Sequence, residues 1–191
     1  IRAFVTAISL MTSCSVFAAT PWSAWQEVGH ATLSWGPFEV YHSHLLTPDG
    51  KYQAGKWPQA LVIDYLRSID REELTKATEE QWQALGLLPQ AKKNGWLDAV
   101  QNTWSDASNG SEIVFVATQN GGQSYSQPAN SVLNTPVGPL FSPASRDAFL
   151  AIWPFPAPQH PDLCSKLIRP SAPAQSPLSA GSIPVPRQIF F

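Results

Sequence analysis

The chain has 191 residues, of which 43% are hydrophobic, and this proportion favours a folded domain over general disorder. That length is enough for one domain that buries a core of its own. The net charge of −2 comes without a block of basic residues, which excludes a partner such as nucleic acid that is recognised through its phosphates. The chain has 8 tryptophans, and because each ring buries a large area we expect most of them in the core.

Residues 1–18 are predicted to form a secretory signal peptide. Arg2 supplies a positive charge, an apolar segment follows, and Val16 and Ala18 stand where a cleavage site requires small side chains. A second interpretation is a lipoprotein signal, because the four residues that end at Cys14 resemble a lipobox. Either signal exports the protein, and we favour a free periplasmic form. The apolar run is too short for a good membrane span, so none is predicted in the mature protein.

Alternating apolar and polar residues predict a pair of strands between residues 29 and 46, with a turn at positions 36–37. His42 and His44 share one face of the second strand, whereas Glu39 and Tyr41 share the other. A mostly apolar run over residues 60–65 predicts a central strand.

Helices and a hairpin are predicted next. Capping boxes at Asp70 and Thr78 indicate two short helices, and a further helix after Pro89 carries Trp96. Asn-Gly at positions 120–121 predicts a β-hairpin, and residues 131–134 are predicted to form another strand. Ser142 caps a final helix that begins with proline. These elements predict an α+β domain over residues 19–169, and the proline-rich composition of residues 170–191 predicts a disordered tail.

Five motifs carry a family resemblance. They are Val28-Gly29-x-Ala31-x-Leu33, Val40-Tyr41 with Leu45 and the turn Thr47-Pro48-Asp49-Gly50, Ala60-Leu61-x-Ile63-x-Tyr65-x-Arg67-x-Ile69, Trp104-Ser105-Asp106 with Gly110, and Phe141 to Trp153. Their order and spacing resemble the bacterial chalcone isomerase-like family. The resemblance implies an open-faced β-sandwich, in which helices pack on one face of a large antiparallel sheet.

The resemblance also implies candidate catalytic residues. Plant enzymes of the family close a flavanone ring, and His30 and Tyr41 stand at positions that resemble their strand Arg and nearby Thr. A Tyr-x-x-Lys-x-x-x-Asn helix pattern of these enzymes is replaced here by Trp96, Ala99 and Thr103. The groups that would stabilise a developing phenolate are therefore missing, which argues against ring closure. Non-catalytic relatives bind fatty acids between the sheet and the helices.

The leading hypothesis is an exported protein that binds a small apolar or fatty-acid-like ligand in the sheet–helix cleft without turning it over. Tyr65, Arg67 and Trp96 are the candidate ligand-binding residues, because Arg offers a forked pair of donors to a carboxylate. One alternative is a chalcone–flavanone isomerase that uses His30 or Tyr41. Another is an envelope interaction protein whose proline-rich tail binds a partner.

Metal binding by His42 and His44 would need a third ligand, such as His30 or Glu39. Because Glu39 lies on the opposite strand face, we predict a solvated polar face and no metal site. Asp64, within an apolar strand, is expected to pair with an arginine, either Arg67 or Arg146. The sequence contains no phosphate loop, no Gly-x-Ser-x-Gly and no Cys/His cluster, so no cofactor is predicted.

Overall fold

The computed structural model of the chain describes residues 20–35, 37–132, 134–152 and 165–168. The predicted signal peptide, with Cys14, and the predicted proline-rich tail lie outside these described residues. The envelope-interaction alternative, which depends on that tail, therefore stays a prediction. In the part of the chain that the structure describes, no helix has the length and apolar character that crossing a membrane requires.

Six strands form one antiparallel sheet whose spatial order repeats their order in the chain. They are β1 (Gln26–Trp35), β2 (Phe38–Thr47), β3 (Gln59–Tyr65), β4 (Glu112–Thr118), β5 (Gly121–Gln127) and β6 (Thr135–Phe141). Three helices lie between β3 and β4 in the chain, namely α1 (Arg71–Ala84), α2 (Leu88–Lys93) and α3 (Trp96–Thr103). A fourth, α4 (Pro143–Leu150), follows β6, and a short 3₁₀ helix (Pro21–Ala24) precedes β1.

The period of two along the strands separates a covered face from an open face. On the covered face, Leu61, Ile63 and Phe115 are buried in one apolar cluster with Trp82 of α1 and Trp96 of α3. A smaller cluster lies on the open face, where an alanine and a valine of β3 and two valines of β4 pack with two tryptophans that precede β1, with a leucine of β2 and with a tyrosine of β5. The predicted α+β class and its open-faced arrangement are therefore confirmed.

The helices differ from the prediction in number and boundaries. The two short helices predicted at Asp70 and Thr78 form one continuous helix, α1, because Thr78 lies in its middle and donates its hydroxyl to the Leu74 carbonyl at 2.9 Å. At the start of α1, the backbone N–H of Arg71 donates to the Asp106 carboxylate at 3.0 Å. The helix predicted after Pro89 is divided into α2 and α3 at Gly95, whose φ of 69° a helix interior does not allow.

The hairpin and the last helix agree with the sequence, but the edge strand does not. Gly121 has a φ of 139°, and a Cβ there would lie 2.0 Å from the Phe141 carbonyl oxygen, so the turn requires glycine. The Ser142 hydroxyl accepts from the Ser145 N–H at 3.3 Å, which confirms the predicted cap of α4. The strand predicted at residues 131–134 is wrong, since β6 begins at Thr135. The two prolines of β6 are tolerated because β6 lies at the edge of the sheet.

Candidate functional site

A pocket of about 300 Å³ lies on the covered face of the sheet, at the end where α4 packs. Leu45 of β2 and Leu61 of β3 form its floor, and Leu150 of α4 forms part of its wall. The loop between β2 and β3 contributes Trp57. None of the lining residues comes from α1, α2 or α3, so the pocket occupies the part of the covered face that these helices leave uncovered.

The rest of the layer between sheet and helices is filled by aromatic rings. The Trp82 ring contacts the Trp96 ring edge-on, with 6.2 Å between centroids. Near α4, Phe115 packs against Phe149 at 4.6 Å and against Phe141 at 5.2 Å. Among the described residues, the sheet–helix layer is therefore filled by rings at α1, at α3 and at Phe149 of α4, and the pocket lies beside Leu150 and Ala151 at the end of α4.

Arg146 places a cation at the wall of this apolar pocket. Its side chain is 5% exposed, and its Nε donates to the Asp147 carboxylate at 2.8 Å. Another guanidinium nitrogen, Nη1, donates to the carbonyls of Thr118 and Gln119 at the end of β4. The guanidinium also stacks on Trp57, 3.9 Å from the ring centroid. These contacts hold the planar donor group of Arg146 in one orientation.

The loop that carries Trp57 is fixed by a buried amide. Gln59 is 5% exposed and its Nε2 donates to the carbonyls of Lys56, at 2.8 Å, and Gln53, at 3.3 Å. Buried polar groups without such bonds are costly, so Gln59 favours this one loop conformation. Gln59, the first residue of β3, therefore positions Trp57, which forms the aromatic wall of the pocket.

The two predicted catalytic residues lie on opposite faces of the sheet. His30 is on the open face, with its side chain 58% exposed, whereas Tyr41 is on the covered face and contacts Tyr65 edge-on at 6.3 Å. Burial raises the pKa of Tyr41 well above its ordinary value, so its phenol stays protonated near neutral pH. The structure does not bring His30 and Tyr41 into one site, and the isomerase alternative stays a prediction.

The three predicted ligand-binding residues are not among those that line the pocket. Tyr65 is buried in the core, where burial and the neighbouring Tyr41 raise its pKa. Arg67 stacks on the exposed ring of Phe38 at 5.0 Å, and Trp96 is buried beside α1. Sequence reasoning missed Arg146, although it stands three residues before the buried Phe149, a spacing that places both on one side of a helix.

The open face carries a row of polar residues across five strands. In strand register the row is Thr32, His42, Asp64, Glu112 and Gln127. Asp64 lies 3.4 Å from Nε2 of His44, so its expected pairing with an arginine is wrong. Arg146 lies beneath the covered face and is paired there with Asp147, the next residue in the chain.

The pKa values of His44, beside this row, and of Glu112, within it, are raised. The hydrogen bond to Asp64 raises the pKa of His44 to about 9 against the opposing effect of burial, and Glu27 also favours the cation. Burial raises the pKa of Glu112 to about 6, and the adjacent Asp64 carboxylate acts in the same direction. At neutral pH the open face therefore carries a cationic His44.

Comparison with known proteins assigns no activity to this site. No family model matches the chain. A protein of Haemophilus influenzae that is described as uncharacterized is 29% identical over 137 residues, which cover 72% of this chain. The match covers 64% of that protein, so the chain spans less than two thirds of its length. Membership of the chalcone isomerase-like family stays a prediction.

Proposed function

We propose that this protein is an exported, chalcone isomerase-like binding protein for a small amphipathic ligand, an acyl chain with an anionic head, which it does not turn over. The observation that carries the proposal is the nearly inaccessible guanidinium of Arg146 in the wall of an otherwise apolar pocket. An apolar cavity with one oriented polar group is the usual construction of a small-molecule site.

The apolar part of the ligand would be held by burial alone. Each methylene removed from water contributes roughly 0.8 kcal/mol, and the pocket wall offers Leu45, Leu61 and Leu150 as its surroundings. The volume of about 300 Å³ stands at the lower end of ligand pockets, which run from roughly 300 to 1,000 Å³. A short or medium acyl chain therefore fits better than a long one.

The anionic head would take the place of the Asp147 carboxylate on Arg146. Guanidinium and carboxylate match as a forked pair of donors facing two acceptor oxygens. Asp147 is 59% exposed, so its carboxylate can turn to water at little cost once a ligand carboxylate arrives. The buried cation stays paired throughout, which avoids the large penalty of an isolated buried charge.

The residues around the pocket supply little that could act on a bound ligand. Its described lining contains one carboxylate, that of Asp147, which Arg146 holds, and one phenol, that of Tyr52. Nucleophilic catalysis needs a nucleophile beside a base, and the described lining contains no serine, cysteine, histidine or lysine. Binding without turnover is the function that this lining supports best.

The test compares decanoate with decanol by isothermal titration calorimetry on the full-length protein. We expect wild type to prefer the acid by less than the roughly 1.5–3 kcal/mol of a hydrogen bond to a charged group, because the acid must displace the Asp147 carboxylate from Arg146. Asp147→Asn removes the competing carboxylate and should tighten binding of the acid while leaving the alcohol unchanged. Arg146→Met should abolish the preference for the acid.

Arg71→Met serves as the matched control, because Arg71 is 47% exposed and pairs with Glu72 away from the pocket. If Arg146→Met fails to fold, Asp147→Asn still decides, since it removes an exposed carboxylate only. Equal affinities of wild type and Asp147→Asn for the acid would contradict the proposed exchange. Absence of binding of both probes to the wild-type protein would contradict the proposed function.

A further inference from the structure

Three ligand-bearing side chains converge on the open face of the sheet, on the side away from the pocket. The Glu27 carboxylate bridges two imidazoles, with Oε1 at 2.8 Å from Nδ1 of His30 and Oε2 at 2.9 Å from Nδ1 of His44. One ligand atom from each of the three residues can be chosen so that all lie within 4.8 Å of one another. One carboxylate therefore lies between two imidazole rings, with each of its oxygens contacting one ring.

A β-bulge produces this convergence. Residues three apart on a regular strand point to opposite faces, so Glu27 and His30 would normally be separated by the sheet. The register of β1 against β2 shifts between Glu27 and Gly29, and the extra residue, Val28, turns into the core, where it is 1% exposed. Beyond the shift, His30 stands directly opposite His44. Such bulges re-aim side chains beside functional sites.

A fourth residue orients one of the rings from behind. Nε2 of His44 lies 3.4 Å from Oδ2 of Asp64, on the neighbouring strand β3. A carboxylate that accepts from Nε2–H keeps the proton on that nitrogen, so a metal ion that displaces the Nδ1 proton meets an Nδ1 lone pair directed toward His30 and Glu27. A histidine that donates its second ring N–H to a carboxylate is the usual arrangement behind a metal-ligating imidazole.

We propose that Glu27, His30 and His44 form a binding site for a borderline divalent transition-metal ion of the Zn²⁺ type, with Asp64 as the partner that orients His44. Two imidazoles and one carboxylate are a donor set that Zn²⁺ accepts in three-ligand sites, where a water or another ligand fills the fourth position. Mg²⁺ and Ca²⁺ prefer oxygen ligands, so they are excluded by the two nitrogens.

Binding requires the three ligand atoms, which lie within 4.8 Å of one another, to close around the ion. Zn–N and Zn–O bonds of about 2.0–2.1 Å place tetrahedral ligand atoms about 3.4 Å apart. The two bridging contacts are shorter than this by roughly half an ångström, a change that rotation about side-chain torsions can supply. His30 is 58% exposed and gives an ion access from solvent, while His44, 30% exposed, holds the inner side of the site. The site extends beyond the proposed ligand-binding function, because it lies on the opposite face of the sheet.

The test uses full-length protein without a histidine tag, in which Cys14→Ser and Cys164→Ser exclude thiolate ligands. ZnCl₂ is titrated by calorimetry, and CoCl₂ by the visible absorption of a four-coordinate Co²⁺ complex. We expect one ion per chain with micromolar or tighter affinity, unaffected by excess MgCl₂. His30→Ala, His44→Ala and Glu27→Gln should each abolish the Co²⁺ band while circular dichroism stays unchanged.

His42→Ala is the matched control. His42 lies on the same strand and face as His44, but its Nδ1 is hydrogen-bonded to the Thr32 hydroxyl at 2.9 Å. This variant should keep full affinity, and Asp64→Asn should lose about 10–100-fold while retaining the Co²⁺ band, as expected of an orienting residue. No stoichiometric binding, or equal losses in His42→Ala and His44→Ala, would show that the cluster is an ion-pair network only.

Discussion

The two faces of one sheet perform different physical tasks. Beneath the covered face, Leu61 and Phe115 join a closed apolar layer in which Arg146 is a single paired cation at the edge of a cavity. On the open face, His44 and Asp64 lie within a row of polar and titratable groups that water reaches. Leu61 and Asp64 belong to the same strand, β3, so on that strand alternation alone separates burial from charge.

The comparison shows how each face would select a ligand. On the covered face, shape and removal of apolar surface from water provide the free energy, and the guanidinium of Arg146 only selects the head group. On the open face, the donor atoms of Glu27, His30 and His44 provide the free energy, and burial contributes little because their side chains are 30–58% exposed. The two sites should therefore respond to different substitutions.

The largest expected effect is on the covered face. Trp82 is 0% exposed, and its Nε1–H donates to the Ala148 carbonyl at 2.7 Å. We expect Trp82→Ala to lower the free energy of unfolding by about 3–5 kcal/mol, since it creates a large cavity. Trp25→Ala, on the half-buried aromatic patch of the open face, should cost less than half of that. Urea denaturation measures both, and equal losses would contradict the distinction between the faces.

A smaller loss is expected from overpacking the covered face. A Cβ on Gly122 would lie 2.3 Å from Cζ of Phe115, whose ring is held between Phe141 and Phe149. Gly122→Ala should therefore lower the free energy of unfolding by roughly 1–3 kcal/mol. In a Phe115→Leu background the ring end is gone and the same substitution should cost clearly less. A neutral Gly122→Ala in the wild-type chain would show that this layer is not close-packed.

The smallest effect concerns the open face and depends on pH. Because the pKa of Glu112 is raised from 4.5 to about 6, the protonated form is favoured by folding. The protonated Glu112 contributes to stability at low pH, and this contribution is lost as pH rises through about 6. Glu112→Gln should therefore raise the melting temperature by a few degrees at most near pH 8 and change it little near pH 4. Equal changes at both pH values, in scanning calorimetry, would contradict this.

Local chemistry made part of the fold predictable. Gly121 at the hairpin turn and Ser142 at the start of α4 act through their own backbone and side chain, so their roles follow from sequence neighbours. The continuity of α1 did not follow, because a capping box at Thr78 predicts a new helix there, whereas Thr78 is buried in the middle of α1 and donates its hydroxyl to the Leu74 carbonyl. The position of β6 depends on its pairing with β5, which sequence neighbours do not encode.

The candidate sites were less predictable because they depend on residues far apart in the chain. Arg146 meets Trp57 and the end of β4 only after folding, and an arginine within a helix ordinarily indicates a solvated surface. Glu27 reaches His30 through a bulge, and a bulge leaves no clear mark on strand periodicity. The sequence indicates the two histidines of β2 and offers His30 as a third ligand, but it gives no sign that Glu27 joins them.

The central claim is that the cavity beside α4 holds the ligand, and one pair of substitutions tests it most directly. Ala151 lines the pocket, whereas Ala144 is exposed in the first turn of α4. We expect Ala151→Phe to weaken decanoate binding at least about tenfold, since each 1.4 kcal/mol of lost burial is a factor of ten, and Ala144→Phe to bind like wild type. Full affinity in Ala151→Phe, with its melting temperature unchanged, would contradict the claim.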